Sequence, residues 1–425
     1  VNSTVRHLEG SLWIAVPLTV AVMAAVRLAA ADWPQFLGPT RNGVYTGPPL
    51  AESWPSTGPR VVWRKQVGQG FAGPAVAGGR VILFHRVARE EIVESLDAAT
   101  GAAQWRHAYP TTYRDDFGFD EGPRAVPVVA GGRVFTFGAE GMLSALDLAT
   151  GRQIWSVDTK RRFSVPKGFF GQAGSPLVDD GRVIANVGGT DGGKSAGIVA
   201  FNAETGAVLW TATNHEASYS SPVIGTFGGK KLALFFTRQA LVGLDPATGA
   251  QLFQRTWRSR SQASVNAASP LVVNDLIFIS ATYETGATVL RVSGSALEPL
   301  WASDEALSNH YATSVHHDGH LYGFHGRQEF GQALRAVELA TGKVRWSQER
   351  FGAGTVVLAG NRLVIVRENG ELVLAAAAPD AFHPVARAQI LQGPVRAYPA
   401  LSDGLLFARN SSDTLVCLDL RGARP

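Results

Sequence analysis

The sequence predicts an all-β fold: an eight-bladed β-propeller of four-stranded antiparallel blades, the last blade closed by the N-terminal strand. Three observations carry this. A hairpin phrase recurs, and an aromatic residue follows it roughly every 40 to 55 residues, the spacing of propeller blades. Composition points to strands and tight turns: 45% hydrophobic, only 17% charged, with 47 Gly and 22 Pro. Finally, the last repeat stops before its aromatic strand, and a matching strand, Val61-Val62-Trp63-Arg64-Lys65-Gln66-Val67, stands near the other end.

Residues 1–31 read as a secretory signal. Arg6 lies in a polar start, an apolar run extends from Leu12 to Val26, and Ala29-Ala30-Ala31 supplies small residues for cleavage. A retained membrane anchor is the alternative, opposed by Arg27 and Pro17. No later stretch is long and apolar enough to span a bilayer, so a periplasmic or secreted location is expected. Cleavage would remove Arg6, Arg27 and Glu9 and lower the formal charge from +4 to +3, too small a balance to suggest nucleic acid. Cys417 is the only cysteine, which rules out an internal disulfide, and no cysteine after the signal offers a lipid attachment point.

Residues 32–60 read as a strap ahead of the propeller, which occupies 61–425. The repeated phrase is Leu96-Asp97-Ala98-Ala99-Thr100-Gly101 with Trp105. It recurs at Leu146–Gly151 with Trp155, Phe201–Gly206 with Trp210, Leu244–Gly249 with Phe253, and Val337–Gly342 with Trp346. Degenerate copies end at Trp301 and at Cys417-Leu418-Asp419. The Asp or Asn can accept backbone N–H groups in the turn, and Gly supplies the positive φ that closes it. The aromatic face of the following strand can pack between adjacent blades. A second hairpin precedes each phrase, as in Ser175-Pro176-Leu177-Val178-Asp179-Asp180-Gly181-Arg182-Val183, and such hairpins begin near Pro74, Pro127, Pro176, Pro222, Pro270, Ser314, Thr355 and Pro399.

Two constellations resemble sites without the context they need. Gly188-Gly189-Thr190-Asp191-Gly192-Gly193-Lys194-Ser195 matches the phosphate-loop pattern, but Gly197–Phe201 after it reads as a strand where that motif needs a helix. It is expected to be a hairpin insertion. His316-His317-Asp318-Gly319-His320 falls on a tight inner turn, so no metal is expected there. Cys417 occupies the strand position of Ala145 in the second blade, which makes it a small core residue.

In a propeller, the connections after the aromatic strands share one face with the turns inside the second hairpins. Two such connections are long and charged, 111–127 and 159–176. Residues on this face form the candidate ligand-binding set: Arg114, Asp116, Arg124, Arg161, His215, Tyr219, Asn309, His310, Tyr311 and Arg396. Mixed charge beside aromatics suits a protein loop, a polymer or a glycan.

The repeat resembles the pyrroloquinoline-quinone (PQQ)-like propeller family over nearly the whole chain after the leader. The segment Asp32-Trp33-Pro34-Gln35-Phe36-Leu37-Gly38-Pro39-Thr40-Arg41-Asn42-Gly43 is similar to the start of a secreted bacterial subgroup. So are Glu121-Gly122-Pro123-Arg124, Ala173-Gly174-Ser175-Pro176, Tyr219-Ser220-Ser221-Pro222 and Asn309-His310-Tyr311. Members include the propeller of the outer-membrane β-barrel assembly machinery and the quinoprotein alcohol dehydrogenases. The first implies a non-catalytic, extracytoplasmic, monomeric scaffold for an envelope protein or polymer, needing no cofactor. The second implies a dehydrogenase of alcohols or sugars that uses PQQ and calcium, for which Asp115, Asp116 and Asp120 could supply ligands or a base. In that class the quinone stacks on a disulfide between adjacent cysteines, which one cysteine cannot form. A glycan-binding or hydrolytic role is the third reading. The sequence ranks the scaffold first.

Overall fold

The computed structural model describes residue 1, residues 31–258, residue 261 and residues 265–421. The signal segment therefore lies outside the described residues, apart from Val1 and Ala31. Among the described residues, no helix is long and apolar enough to cross a membrane.

Eight antiparallel sheets follow one another along the chain. Blade 1 runs from its inner strand Ala75–Ala77 through Arg80–Val87 and Glu90–Asp97 to the outer strand Ala103–Pro110. Blades 2 to 7 repeat this order, with inner strands Val128–Ala130, Leu177–Asp179, Val223–Phe227, Leu271–Val273, Val315–His317 and Gly354–Ala359. Blade 8 supplies three strands from the C-terminal side, Ala400–Ser402, Leu405–Arg409 and Thr414–Asp419. Its outer strand is Arg60–Gln66, antiparallel to Thr414–Asp419 with Trp63 opposite Cys417. The expected closure is therefore present, and the ring has no open edge at the chain's junction.

The recurring phrase does more than turn the chain. Asp97 Oδ1 accepts from the Ala99 N–H, the Thr100 N–H and the Thr100 hydroxyl at 2.8–3.1 Å. Asp147, Asn202 and Asp245 also hold their turns through backbone N–H groups. Each turn then receives the tryptophan of the preceding blade. The indole N–H of Trp63 donates to Ala98 O, Trp105 to Leu148 O, Trp155 to Ala203 O, Trp210 to Pro246 O and Trp301 to Leu339 O. The ring lies against the turn glycine, and a Cβ on Gly151 would sit 2.4 Å from Trp105. Glycine is thus required twice, by φ of +72° and by contact.

A second device links the inner strands. The Val126 N–H donates to Ser175 Oγ, Ser175 N–H to Ser221 Oγ, Ser221 N–H to Ser269 Oγ, and Ser269 N–H to Thr313 Oγ1, at 2.8–3.1 Å. The Thr313 N–H continues the chain to Tyr398 Oη. The hydroxyls before the inner strands of blades 3 to 6 therefore each close the orphan donor of the previous blade.

The segment before blade 8 enters the central channel from the face that carries the phrase turns. Trp33 exchanges both backbone hydrogen bonds with Val76 of blade 1, and Pro34 O accepts from Val129 of blade 2. Arg41 is 3% exposed and donates to Pro222 O at 2.8 Å, to Pro176 O, and to Gln35 Oε1. Val44–Tyr45 then adds a parallel strand to blade 7. The phosphate-loop match forms the tip of a hairpin, Arg182–Asp191 and Lys194–Asn202, and His317 to His320 form a tight turn.

Candidate functional site

The opposite mouth of the channel holds a cavity of about 220 Å3, lined mainly by aromatic and small apolar residues. Phe36, from the segment plugging the far side, packs edge-on against Tyr398 with ring centroids 4.9 Å apart, and both line this cavity. The channel is therefore filled from one side, and a pocket remains on the other.

Five of the ten expected site residues line the pocket: Arg124, Tyr219, His310, Tyr311 and Arg396. Loop 111–127 positions the first. Asp115, whose side chain is fully buried, accepts from the N–H groups of Phe117, Phe119 and Asp120 at 2.9–3.1 Å and from Arg124 at 3.3 Å. Asp120 accepts from Gly122 and Gly70, and burial raises its pKa above the usual carboxylate range. Both carboxylates thus fold the loop. Arg124 lies 5.3 Å from the Phe71 ring centroid, and Arg396 lies 5.4 Å from it. Arg396 is also ion-paired to Glu368.

Across the mouth, His310 Nε2 meets the Tyr283 hydroxyl at 3.3 Å. Burial pushes the His310 pKa down to about 4, so the ring is neutral at pH 7. His310 Nδ1, the Tyr311 hydroxyl and Gln328 Oε1 are buried without a hydrogen-bond partner among the described residues. Burial also raises the Tyr311 pKa well above the phenol range.

The other five expected residues lie elsewhere or serve the scaffold. Arg114 pairs with Glu121, and Asp116 with Lys167. Arg161 is exposed on a short helix, Thr159–Arg162. His215 meets Thr237 Oγ1 at 2.9 Å, and that threonine also donates to Ala240 O. Asn309 is buried and donates to Phe324 O. Sequence reasoning missed Phe36, Phe71, Phe119, Tyr283 and Glu329, which join the wall from distant segments. Beside the pocket, Phe117 and Phe119 are 54% and 53% exposed and stack with centroids 6.2 Å apart. Phe117 also lies 6.0 Å from Phe169 and 5.2 Å from Phe170.

A family model described as outer membrane protein assembly factor BamB matches residues 89–348 and 331–424. The chain belongs to this family. Among its relatives, the BamB of Burkholderia pseudomallei is 29% identical over 240 residues, 55% of this chain and 54% of that protein. The quinohemoprotein alcohol dehydrogenase ADH-IIG of Pseudomonas putida is 33% identical over 126 residues, 28% of this chain and 16% of that protein. The chain thus spans about half of the one and a small part of the other. The solved BamB of Moraxella catarrhalis superposes with TM-score 0.60 at 15% identity, covering 86% of this chain and 99% of its own. The quinohemoprotein alcohol dehydrogenase of Comamonas testosteroni gives 0.64 at 15% identity, covering 93% and 81%. These structures share the fold.

The quinone-and-calcium alternative can be set against the donor set. Calcium takes six to eight oxygen ligands, typically several carboxylates. Among the described residues, Glu329 is the one carboxylate in the pocket lining, and it pairs with Arg327 at 3.3 Å. Among the described residues, no three His, Cys, Asp or Glu side chains form a metal-holding group. Cys417 is buried in blade 8. Among the described residues, this lining offers one carboxylate where calcium takes several oxygen ligands.

Proposed function

We propose that this BamB-family propeller is an exported, non-catalytic scaffold that binds an envelope protein through the mouth bearing the aromatic pocket. One observation carries the reading: the pocket-lining ionic side chains are held in pairs that fix loops, while aromatic rings stand exposed around a blind pocket. Arg124 is tied to Asp115, Arg396 to Glu368 and Glu329 to Arg327. Catalysis asks for a nucleophile or acid–base group aimed at the space where a substrate sits, whereas His310 of the lining meets the Tyr283 hydroxyl at Nε2 and buries its Nδ1. The family's description as an outer membrane assembly factor supports the same class of partner. A polymer or glycan is the other occupant of such a surface, and the monomeric chain suffices for either.

A photoreactive residue placed at position 119 in the living envelope tests this. A discrete adduct is expected there and not at Val208 on an outer strand. Equal labelling at both positions would remove the proposal. The stretch shared with quinohemoprotein dehydrogenases favours the second reading, a PQQ- and calcium-dependent dehydrogenase of alcohols or sugars. Titration with PQQ and calcium is expected to show no saturable quinone absorbance. Stoichiometric uptake with dye reduction by an alcohol, lost in Arg124→Gln, would establish that reading instead.

A further inference from the structure

In blade 6, the loop joining His320–His325 to Ala333–Glu338 stands between two cavities. Gln328 and Glu329 line the aromatic pocket, while Arg327 and Phe330 line an adjoining cleft of about 440 Å3. Tyr283 lines both, so this ring and residues 327–330 form the wall that divides them. The cleft is also lined by the carboxylates Glu284, Asp304 and Glu305.

Several features favour motion of this partition. Gly326 and Gly331 bracket it at φ of +91° and +80°, and a Cβ on either would meet no atom beyond its chain neighbours within 4 Å. Both ends therefore combine a wide choice of backbone angles with open space, the make-up of a hinge. The hydrogen bonds of the loop turn inward. The Phe330 N–H donates to Arg327 O and the Gly331 N–H to Gln328 O, both at 3.2 Å, and Arg327 pairs with Glu329 at 3.3 Å. Against the facing wall lies a cation–π contact, with the Arg327 guanidinium 4.5 Å from the Tyr283 ring centroid. The closed position also carries a cost. Arg327 Nε and Gln328 Oε1 are buried without a hydrogen-bond partner among the described residues, and Phe330 is 77% exposed. A buried donor or acceptor left unpaired regains water when its cover lifts, so a weak latch works against a penalty present in the closed state.

We infer that residues 327–330 are a hinged partition, latched by Arg327 on the Tyr283 ring, whose opening joins pocket and cleft into one groove with an aromatic end and an acidic end. This goes beyond the scaffold reading and holds whatever partner reaches the mouth. Thiol labelling of the full chain with N-ethylmaleimide, read by mass spectrometry, tests it. Cys417 is buried in blade 8 and reacts only when the ring itself opens, which makes it an internal clock. Phe330→Cys places a thiol that is exposed at all times and gives the unhindered rate. Gln328→Cys places one in the pocket wall. Its labelling is expected to be roughly 10- to 1,000-fold slower than at position 330, as for an open state populated at about 0.1–10%. It is also expected to be much faster than at Cys417. Adding Tyr283→Leu to the Gln328→Cys chain removes the ring under the guanidinium. The rate at 328 should then rise about two- to fivefold, the worth of one exposed cation–π contact. Tyr283→Phe keeps the ring and is expected to leave that rate unchanged. Labelling at 328 no faster than at Cys417 overturns the inference, because the wall then opens only with the ring. Labelling at 328 as fast as at 330 overturns it too, because no closed state then exists. A rate that Tyr283→Leu leaves alone, or that Tyr283→Phe raises equally, refutes the latch.

Discussion

Single residues on the inner strands carry more of the ring than their size suggests. Ser221 accepts the Ser175 N–H and passes its own N–H to Ser269, so it links three consecutive blades. Ser221→Ala strands the Ser175 donor in a buried site, at a cost of about 1–3 kcal/mol. A thermal melt is expected to fall by a few degrees, and an unchanged melt would show that water replaces the hydroxyl. His85 is a residue-scale pH sensor of stability. It accepts the Gly68 N–H at Nδ1, and burial with nearby Arg409 lowers its pKa to about 3. Glu94 lies 3.7 Å away but is shared with Lys65 at 3.2 Å, so burial prevails. Because the folded pKa lies below the unfolded value of about 6.5, the unfolded chain binds the proton first. Stability is therefore complete above about pH 6.5 and declines as pH falls toward 3. Melts across this range should show a shallower decline for His85→Gln, and an identical slope would exclude the role.

At the scale of elements, the unit is a tryptophan of one blade docked on the turn of the next. Trp105→Phe removes the indole hydrogen bond to Leu148 O, worth about 1 kcal/mol. Gly151→Ala places a Cβ 2.4 Å from the Trp105 ring at φ +72°, adding backbone strain to overpacking, so a larger loss of on the order of 2–3 kcal/mol is expected. Urea midpoints measure both, and a milder effect at Gly151 than at Trp105 would refute the stacking account. The turn and the packing aromatic were both legible, because Asp, Gly and Trp have strong local meanings. The indole-to-carbonyl bond was not, because it joins residues 43 positions apart. The same limit explains the site. Arg124, Tyr219, His310, Tyr311 and Arg396 lie on connections whose face follows from the repeat, but Phe36 and Phe71 enter the wall from segments outside any repeat phrase. Asp115 and Asp120 accept N–H groups of their own loop, a pairing that the sequence spacing does not reveal.

For the whole molecule, closure is topological and the plug is a separate act. The pairing of Arg60–Gln66 with Thr414–Asp419 was readable because a strand was missing at one end of the repeat array and extra at the other. The plug had no such arithmetic. Its contacts depend on Arg41, a buried cation satisfied by backbone carbonyls at Pro176 and Pro222, with burial lowering its pKa to about 9. Arg41→Met keeps the bulk of the side chain and removes these donors, leaving the buried Pro176 and Pro222 carbonyls without them. The expected result is local release: the Val76 and Val129 amides, bonded to Trp33 O and Pro34 O, should exchange with deuterium faster. The amide of Lys65, on the closing strand opposite Leu415, should stay protected. Acceleration at both places would mean that plug and ring unfold together, and protection at both would mean that Arg41 contributes nothing to holding the plug. Selective exchange at Val76 and Val129 alone would establish two separable layers, a closed ring and an inserted stopper that sets the depth of the pocket above it.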